Sequence, residues 1–436
     1  MRIAANGLLL LLVLVLAACH PAFKPEAERL MTPEGAHAFP FRNAFVATVV
    51  GSPAADRVVL PEGIPIEQRT LPVIDDRTVP RVLWYENRFR YSIAAQSGKA
   101  PLVFIIGGTN AGYSNRLSTY LQQLFFTAGF HAVSISSPTF PNFMVTASTT
   151  SVPGWTAQDA ADLYHMMQRV LADVRQRVEV SDVSLTGYSL GGWHSAFVAA
   201  LDHQQQAIGF HRVLLINPPV SLYRSSQVLD DMLVKNLPGG IDNLDAFVRN
   251  VVNRLVELYR ENRGVTFGQD MLFDAYRALR PTEDQLAAVI GAVFRLASAN
   301  IAFTADVMSH SGYLVPKDRE LRISTSLTPY FDAGMRRGFI QYFEELLYPY
   351  YRQHYPTLTR QQIIDAASLE SIAPFLSQAA NVGLVTSKDD IILAPGDVDF
   401  LQRTFGDRAT FFDYGGHCGS MMDAHVAAAY VRFMMQ

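Results

Sequence analysis

Six short stretches of almost unbroken apolar sequence punctuate the chain: 101–108 (PLVFIIGG), 130–136 (FHAVSIS), 182–188 (DVSLTGY), 211–219 (HRVLLINPP), 382–387 (VGLVTS) and 409–416 (ATFFDYGG). Such runs are too short for helices and lack in–out alternation, so they predict strands covered on both faces, as in a largely parallel sheet. Amphipathic segments lie between several of them, for example 113–128 and 157–178. Strand alternating with helix predicts an α/β layered domain. Between 41 and 100 the pattern is different: 44–50 (AFVATVV) and 88–96 (RFRYSIAAQ) are β-branched or alternating and are broken by Pro and Gly. They predict antiparallel strands at one edge of the sheet.

From 221 to 375 no strand pattern is found. Leu244, Phe247, Val248, Val251, Val252 and Leu255 recur at helical spacing, as do Leu286, Val289, Ile290 and Val293, the latter set opened by a Thr282-x-x-Gln285 capping box. This predicts a mostly helical insertion of roughly 150 residues, enough for a subdomain. Within it, 339–355 (FIQYFEELLYPYYRQHY) concentrates aromatic side chains. Most are expected to form the insertion's own core, with a few facing any active site beneath.

Composition narrows the class. With 436 residues, 49% hydrophobic and 17% charged, the chain can bury a large core, and its formal net charge of −4 with scattered Lys and Arg leaves no basic footprint for nucleic acid. No clustering of His and carboxylates at ligand spacing implies a metal, and no organic cofactor is implied. The N-terminus has its own logic: Arg2 precedes the apolar run Gly7–Ala18, which is short for a bilayer span and has the layout of a secretory signal. Leu16-Ala17-Ala18-Cys19 resembles the bacterial lipobox, which implies cleavage of 1–18, diacylation of Cys19 and a cell-envelope protein anchored to a membrane and facing the periplasm. An ordinary signal peptide or an uncleaved anchor are the other readings. His20 follows, so no aspartate stands there as a retention signal, and the choice of inner or outer membrane stays open. Residues 19–40, rich in Pro, Ala and charge, are expected to be a tether. The second cysteine, Cys418, then has no partner in the mature chain, so no disulfide framework is expected.

The chemistry centres on Gly187-Tyr188-Ser189-Leu190-Gly191, a Gly-x-Ser-x-Gly match between an apolar strand and a small-residue helix (GGWHSAFVAAL). A serine on such a sharp turn is exposed at a helix N-terminus, and the flanking glycines remove Cβ atoms that would clash. A serine nucleophile needs a base, ordinarily a histidine oriented by a carboxylate. His417, in DYGGHCGSM after the last strand, occupies the right kind of loop, whereas His165 and His194 fall on helices and read as surface or packing residues. Asp389 and Asp390 stand at the C-terminal end of the penultimate strand, where functional groups of α/β sheets gather.

The order Ser189, then Asp389 or Asp390, then His417 resembles that of the α/β-hydrolase superfamily over roughly 85–220 and 376–436. The resemblance implies a mostly parallel central sheet flanked by helices, divided into a core of 41–220 and 376–436, with the insertion 221–375 as a lid after the sixth strand. It also implies Ser189 as nucleophile, His417 as base and, from the aliphatic residues Ile391 and Ile392 that follow, Asp390 as the acid, with Asp389 capping the loop. The oxyanion hole would use the backbone N–H of Leu190 and one from Gly108, Thr109 or Asn110, with Thr109 chosen; Gly107-Gly108 stands where the family usually has His-Gly. The implied function is a lipid-anchored serine hydrolase cleaving carboxylic esters with an apolar acyl group. A serine peptidase on the same fold, or a catalytically silent binding lipoprotein, are the alternatives.

Overall fold

A computed structural model describes residues 24–74, 77–261 and 270–436. The leader and Cys19 lie outside the described residues. Eight strands form one sheet: β1 (Ile66–Leu71), β2 (Phe89–Ala94), β3 (Ala100–Ile106), β4 (His131–Ile135), β5 (Val180–Tyr188), β6 (Phe210–Ile216), β7 (Val382–Ser387) and β8 (Ala409–Phe412), in the order β1-β2-β4-β3-β5-β6-β7-β8. β1 and β2 pair antiparallel, β2 joins β4 antiparallel, and every later pairing is parallel. All six apolar stretches are strands. Their residues split between two cores, one on each face: Leu102, Phe104, Leu185 and Leu215 point to one, Val103, Ile105, Leu214 and Ile216 to the other. Burial on both faces is what erased the alternation from the sequence.

Two N-terminal expectations are overturned. Residues 44–50 form a helix (Ala44–Val50) and not an edge strand: the Asn43 side chain accepts from the N–H groups of Phe45 and Val46, and Gly51 at φ 76° ends it. Its β-branched residues favour a strand only weakly, and capping together with burial of Val46, Ala47 and Val50 outweighs that preference. The stretch 24–31, expected within the tether, is a helix (Lys24–Met31) with Ala27 and Leu30 buried, packed on the C-terminal helix Ala424–Met434.

The insertion contains no strand among the described residues of 221–375. Its two ends run side by side: Ser221 and Ser368 form an isolated antiparallel bridge, flanked by Leu222 N–H to Ala367 O and Leu369 N–H to Val220 O. Helices Leu222–Asn236 and Glu283–Ser309 pack together as its spine, the second opened by the expected Thr282–Gln285 capping box. Glu283–Ser309 is long and apolar enough to cross a bilayer, yet 67% of its most apolar window is buried inside the protein. The neck leaves directly after β6, so the insertion sits over the C-terminal ends of the strands.

Candidate active site

Ser189 follows β5 at φ 55°, ψ −126°, a left-handed conformation costly for a residue with a side chain. It is held there by the sheet, because Ser189 N–H donates to Ile216 O of β6, and by three glycines. A Cβ on Gly187 would lie 2.3 Å from Gly191 O, one on Gly191 2.2 Å from Ile106 O, and one on Gly192 2.9 Å from Ile216 O. No larger residue fits this turn. Helix Leu190–Gln205 starts at once, and its first intrahelical bond is Trp193 N–H to Ser189 O, so the Leu190 N–H has no acceptor within the helix.

His417 sits in the loop after β8. Its Nε2 is 2.8 Å from Ser189 Oγ, and its Nδ1 is 3.0 Å from both Oδ1 and Oδ2 of Asp390. All three side chains are buried, Ser189 retaining 8% exposure. Burial pulls the imidazole pKa down, but the Asp390 carboxylate outweighs it and holds His417 well above the usual imidazole value. The loop is fixed from below by the N-terminal helix, since Thr48 Oγ1 accepts the His417 N–H at 2.9 Å. A Cβ on Gly416, at φ 57°, would meet Ala44 O at 2.4 Å.

The two aspartates divide between the histidine and the loop backbone. Asp390 faces His417; Asp389 turns to the loop backbone, accepting from Gly416 N–H at 2.9 Å and Gly415 N–H at 3.3 Å. Burial raises the Asp389 pKa, and those two N–H groups partly offset it. Among the candidate oxyanion donors, Asn110 N–H is already committed to Thr139 Oγ1 at 2.8 Å. Thr109 lines the cavity beside Ser189, Leu190 and His417. His194 is buried and His165 exposed, neither at the site. Sequence reasoning missed Thr48, Thr139 and Asn217, the last placing Nδ2 2.9 Å from Asp390 Oδ2; single buried polar residues leave no periodic signal. Cys418 is a free, half-buried thiol with Sγ 3.9 Å from His417 Nε2.

Above Ser189 opens a cavity of about 100 Å³, walled mainly by the insertion through Leu222, Leu229, Phe294, Ile301, Phe339, Phe343, Leu347, Ile363 and Ile364. In the 339–355 stretch Phe339, Tyr342, Phe343 and Leu347 line the cavity, Tyr342 and Leu347 belonging also to the insertion's core with Leu346 and Tyr351. The Tyr342 hydroxyl donates its proton to Pro153 O. Among the described residues the lining has no carboxylate and no ammonium or guanidinium group; His417 is its one ionisable imidazole. No group of His, Cys, Asp and Glu among the described residues could hold a metal ion.

No protein-family model matches the chain, and no curated protein matches it. Solved structures do. A membrane phospholipase A described as a bacterial virulence factor is 14% identical with a TM-score of 0.41, over 100% of this chain and 98% of the other. An esterase of Pyrobaculum calidifontis is 13% identical (TM-score 0.40; 95% and 94% covered), and a proline iminopeptidase of Mycobacterium smegmatis 14% identical (0.40; 85% and 98%). Likenesses this distant leave the chemistry of the site to its own geometry. The sheet order, with β1 and β2 antiparallel, a serine turn after β5, a helical insertion after β6, an aspartate after β7 and a histidine after β8, gives the chain the α/β-hydrolase fold.

Proposed function

We propose that the protein is a serine hydrolase that cleaves carboxylic esters with an apolar acyl group through an acyl-enzyme. The observation that carries this reading is the unbroken hydrogen-bonded line Ser189 Oγ, His417, Asp390 at the base of an apolar cavity. Neutral His417 takes the Ser189 proton on Nε2 as Oγ attacks the ester carbonyl; Asp390 holds Nδ1–H and stabilises the imidazolium. The carbonyl oxygen becomes an oxyanion facing the N–H groups of Leu190 and Thr109. Collapse breaks the bond to the alkoxy oxygen, which leaves with the proton from Nε2, and Ser189 keeps the acyl group. Water then attacks this ester with His417 again as base, releasing the acid and restoring Ser189.

Cavity chemistry favours esters over peptides with a free N-terminus. An α-ammonium group buried without a carboxylate partner is strongly disfavoured, and the described lining provides none. An aliphatic chain gains about 0.8 kcal/mol per buried CH₂. The insertion also shields the acyl-enzyme from bulk water. We further propose that Cys19 is lipidated and ties the enzyme to a membrane of the cell envelope, on the strength of the leader sequence.

The test is a panel of p-nitrophenyl esters of rising chain length run beside aminoacyl anilides, with fluorophosphonate labelling of wild type and Ser189→Ala. Labelling confined to wild type and turnover that rises from acetyl to medium-chain esters are expected, with the variant losing roughly 10⁵ to 10⁶ in kcat. Faster cleavage of anilides than of any ester would replace this reading with the peptidase one; label on the variant would remove Ser189 as nucleophile.

A further inference from the structure

Resting on the hydrolase reading, we infer that Asn217 is a positioning residue of the active site, a fourth member that fixes the rotation of the Asp390 carboxylate. Asn217 is the first residue after β6 and is buried, with 3% exposure. Its backbone is left-handed at φ 45°, a conformation that asparagine tolerates better than most residues. The main chain is secured there because Asn217 N–H donates to Val385 O, continuing the β6–β7 ladder by one step. The side chain is thereby directed across the end of β7. Its Nδ2 donates one N–H to Asp390 Oδ2 at 2.9 Å and the other to Thr386 Oγ1 at 3.3 Å. The reverse amide orientation would set Oδ1 against a carboxylate oxygen, so chemistry fixes the assignment.

The consequence lies in how Asp390 is held. His417 Nδ1 is 3.0 Å from both carboxylate oxygens, so the imidazole alone does not choose between them. Each oxygen has one further donor: Ile392 N–H on Oδ1 at 3.2 Å, and Asn217 Nδ2 on Oδ2 at 2.9 Å. The two act as opposed pins on one rotating plane. With the Asn217 pin removed, the carboxylate is free to turn toward Ile392, its bond to Nδ1–H lengthens, and the imidazolium formed during acyl transfer loses support. Thr386, at the end of β7, bears on the second N–H of the same amide and sets its tilt.

Two variants test this without straining the backbone. Asn217→Gly accepts the left-handed conformation and deletes the amide; Asn217→Asp keeps the shape and replaces the donor by a second acid. Asn217→Gly is expected to lower kcat about 10- to 100-fold, the range commanded by a lost hydrogen bond to a charged group, with KM within about twofold and the melting temperature lowered by a few degrees for the lost buried bonds. Asn217→Asp sets a second carboxyl about 2.9 Å from Asp390 Oδ2, where the two must share one proton, and is expected to add to the kcat/KM profile a further titration absent from wild type as that shared proton is lost. Low-field proton NMR of the full chain reads the His417 Nδ1–H resonance directly and should shift in both variants. Unchanged kcat in the glycine variant overturns the proposal, as does an aspartate variant with wild-type kcat and pH profile. The NMR signal needs no turnover: if wild type neither hydrolyses esters nor reacts with a fluorophosphonate, the hydrolase reading fails on its own, and an unshifted resonance in both variants still refutes the pin.

Discussion

Exchanging each aspartate of the Asp389-Asp390 pair for asparagine separates two roles that sequence spacing leaves one residue apart. In Asp390→Asn the amide must place its NH₂ on one side and its oxygen on the other. Both sides now face donors, because Ile392 N–H serves Oδ1 and Asn217 Nδ2 serves Oδ2, so one donor is necessarily orphaned at a cost of about 1–3 kcal/mol in stability. The amide N–H also turns toward His417 Nδ1 and favours the tautomer with its proton on Nε2, the atom that must accept from Ser189 at 2.8 Å. Loss of the correct tautomer costs roughly 10⁴ in kcat, which is about 5.5 kcal/mol of barrier. Asp389→Asn differs in both respects. Its oxygen can keep the 2.9 Å bond from Gly416 N–H and release only the 3.3 Å bond from Gly415, while removal of a half-buried carboxyl relieves desolvation. The expected loss is about 1 kcal/mol or less in stability and under about tenfold in kcat. Steady-state turnover of a p-nitrophenyl ester and thermal denaturation of both variants decide it. Equal losses, or an Asp390→Asn enzyme keeping more than a tenth of wild-type kcat, would refute the reasoning.

The pH profile carries the sign of the Asp390–His417 pair. His417 must be neutral to act as base and its pKa is raised by Asp390, so the acid limb of kcat/KM is expected above the ordinary imidazole value of about 6.5. The stability contributed by that pair is full below the unfolded value and is lost as pH rises through the raised one, which pH-dependent melting measures. Gly154 lines the cavity at φ 122°, and a Cβ there would lie 2.4 Å from Leu347 Cδ1. Gly154→Val is therefore expected to depress turnover of medium-chain esters far more than of acetyl esters, and equal depression across the panel would count against this wall as part of the acyl site. Cys19→Ser is expected to move the protein from the membrane to the soluble fraction or to block its maturation, and unchanged membrane attachment with normal leader cleavage would contradict lipidation.

The sheet was legible because β3 to β7 are buried on both faces, and continuous apolar runs ended by glycine or polar residues have few other uses; β8, at the edge, keeps the apolar run with only partial burial. The serine turn was legible for a steric reason, since Gly187 and Gly191 each have a backbone oxygen where a Cβ would go. Asp389 and Asp390 were separable only by the aliphatic pair that follows, because adjacent side chains leave the chain in different directions and either could have faced the loop. The helix Ala44–Val50 was not legible: Phe45, Val46, Val49 and Val50 fit helix and strand spacing alike, and the partners that bury Val46 and Val50, Phe273, Tyr276 and Leu286, lie more than 200 positions away. Asn217 and Thr48 went unseen because a hydrogen bond across the fold imposes no pattern on the sequence around its donor.

The helix Ala44–Val50 ties the site to residues some 370 positions upstream of His417. Thr48 holds His417, Ser52 Oγ donates to Gly419 O, and a Cβ on Gly419 would sit 2.0 Å from Ala47 O. Early residues are made long before their partners, so a nascent chain that has completed the sheet through β7 still has no base beside Ser189. On the proposed reading, the Ser189–His417 pair therefore forms only once β8 and the loop after it have been made.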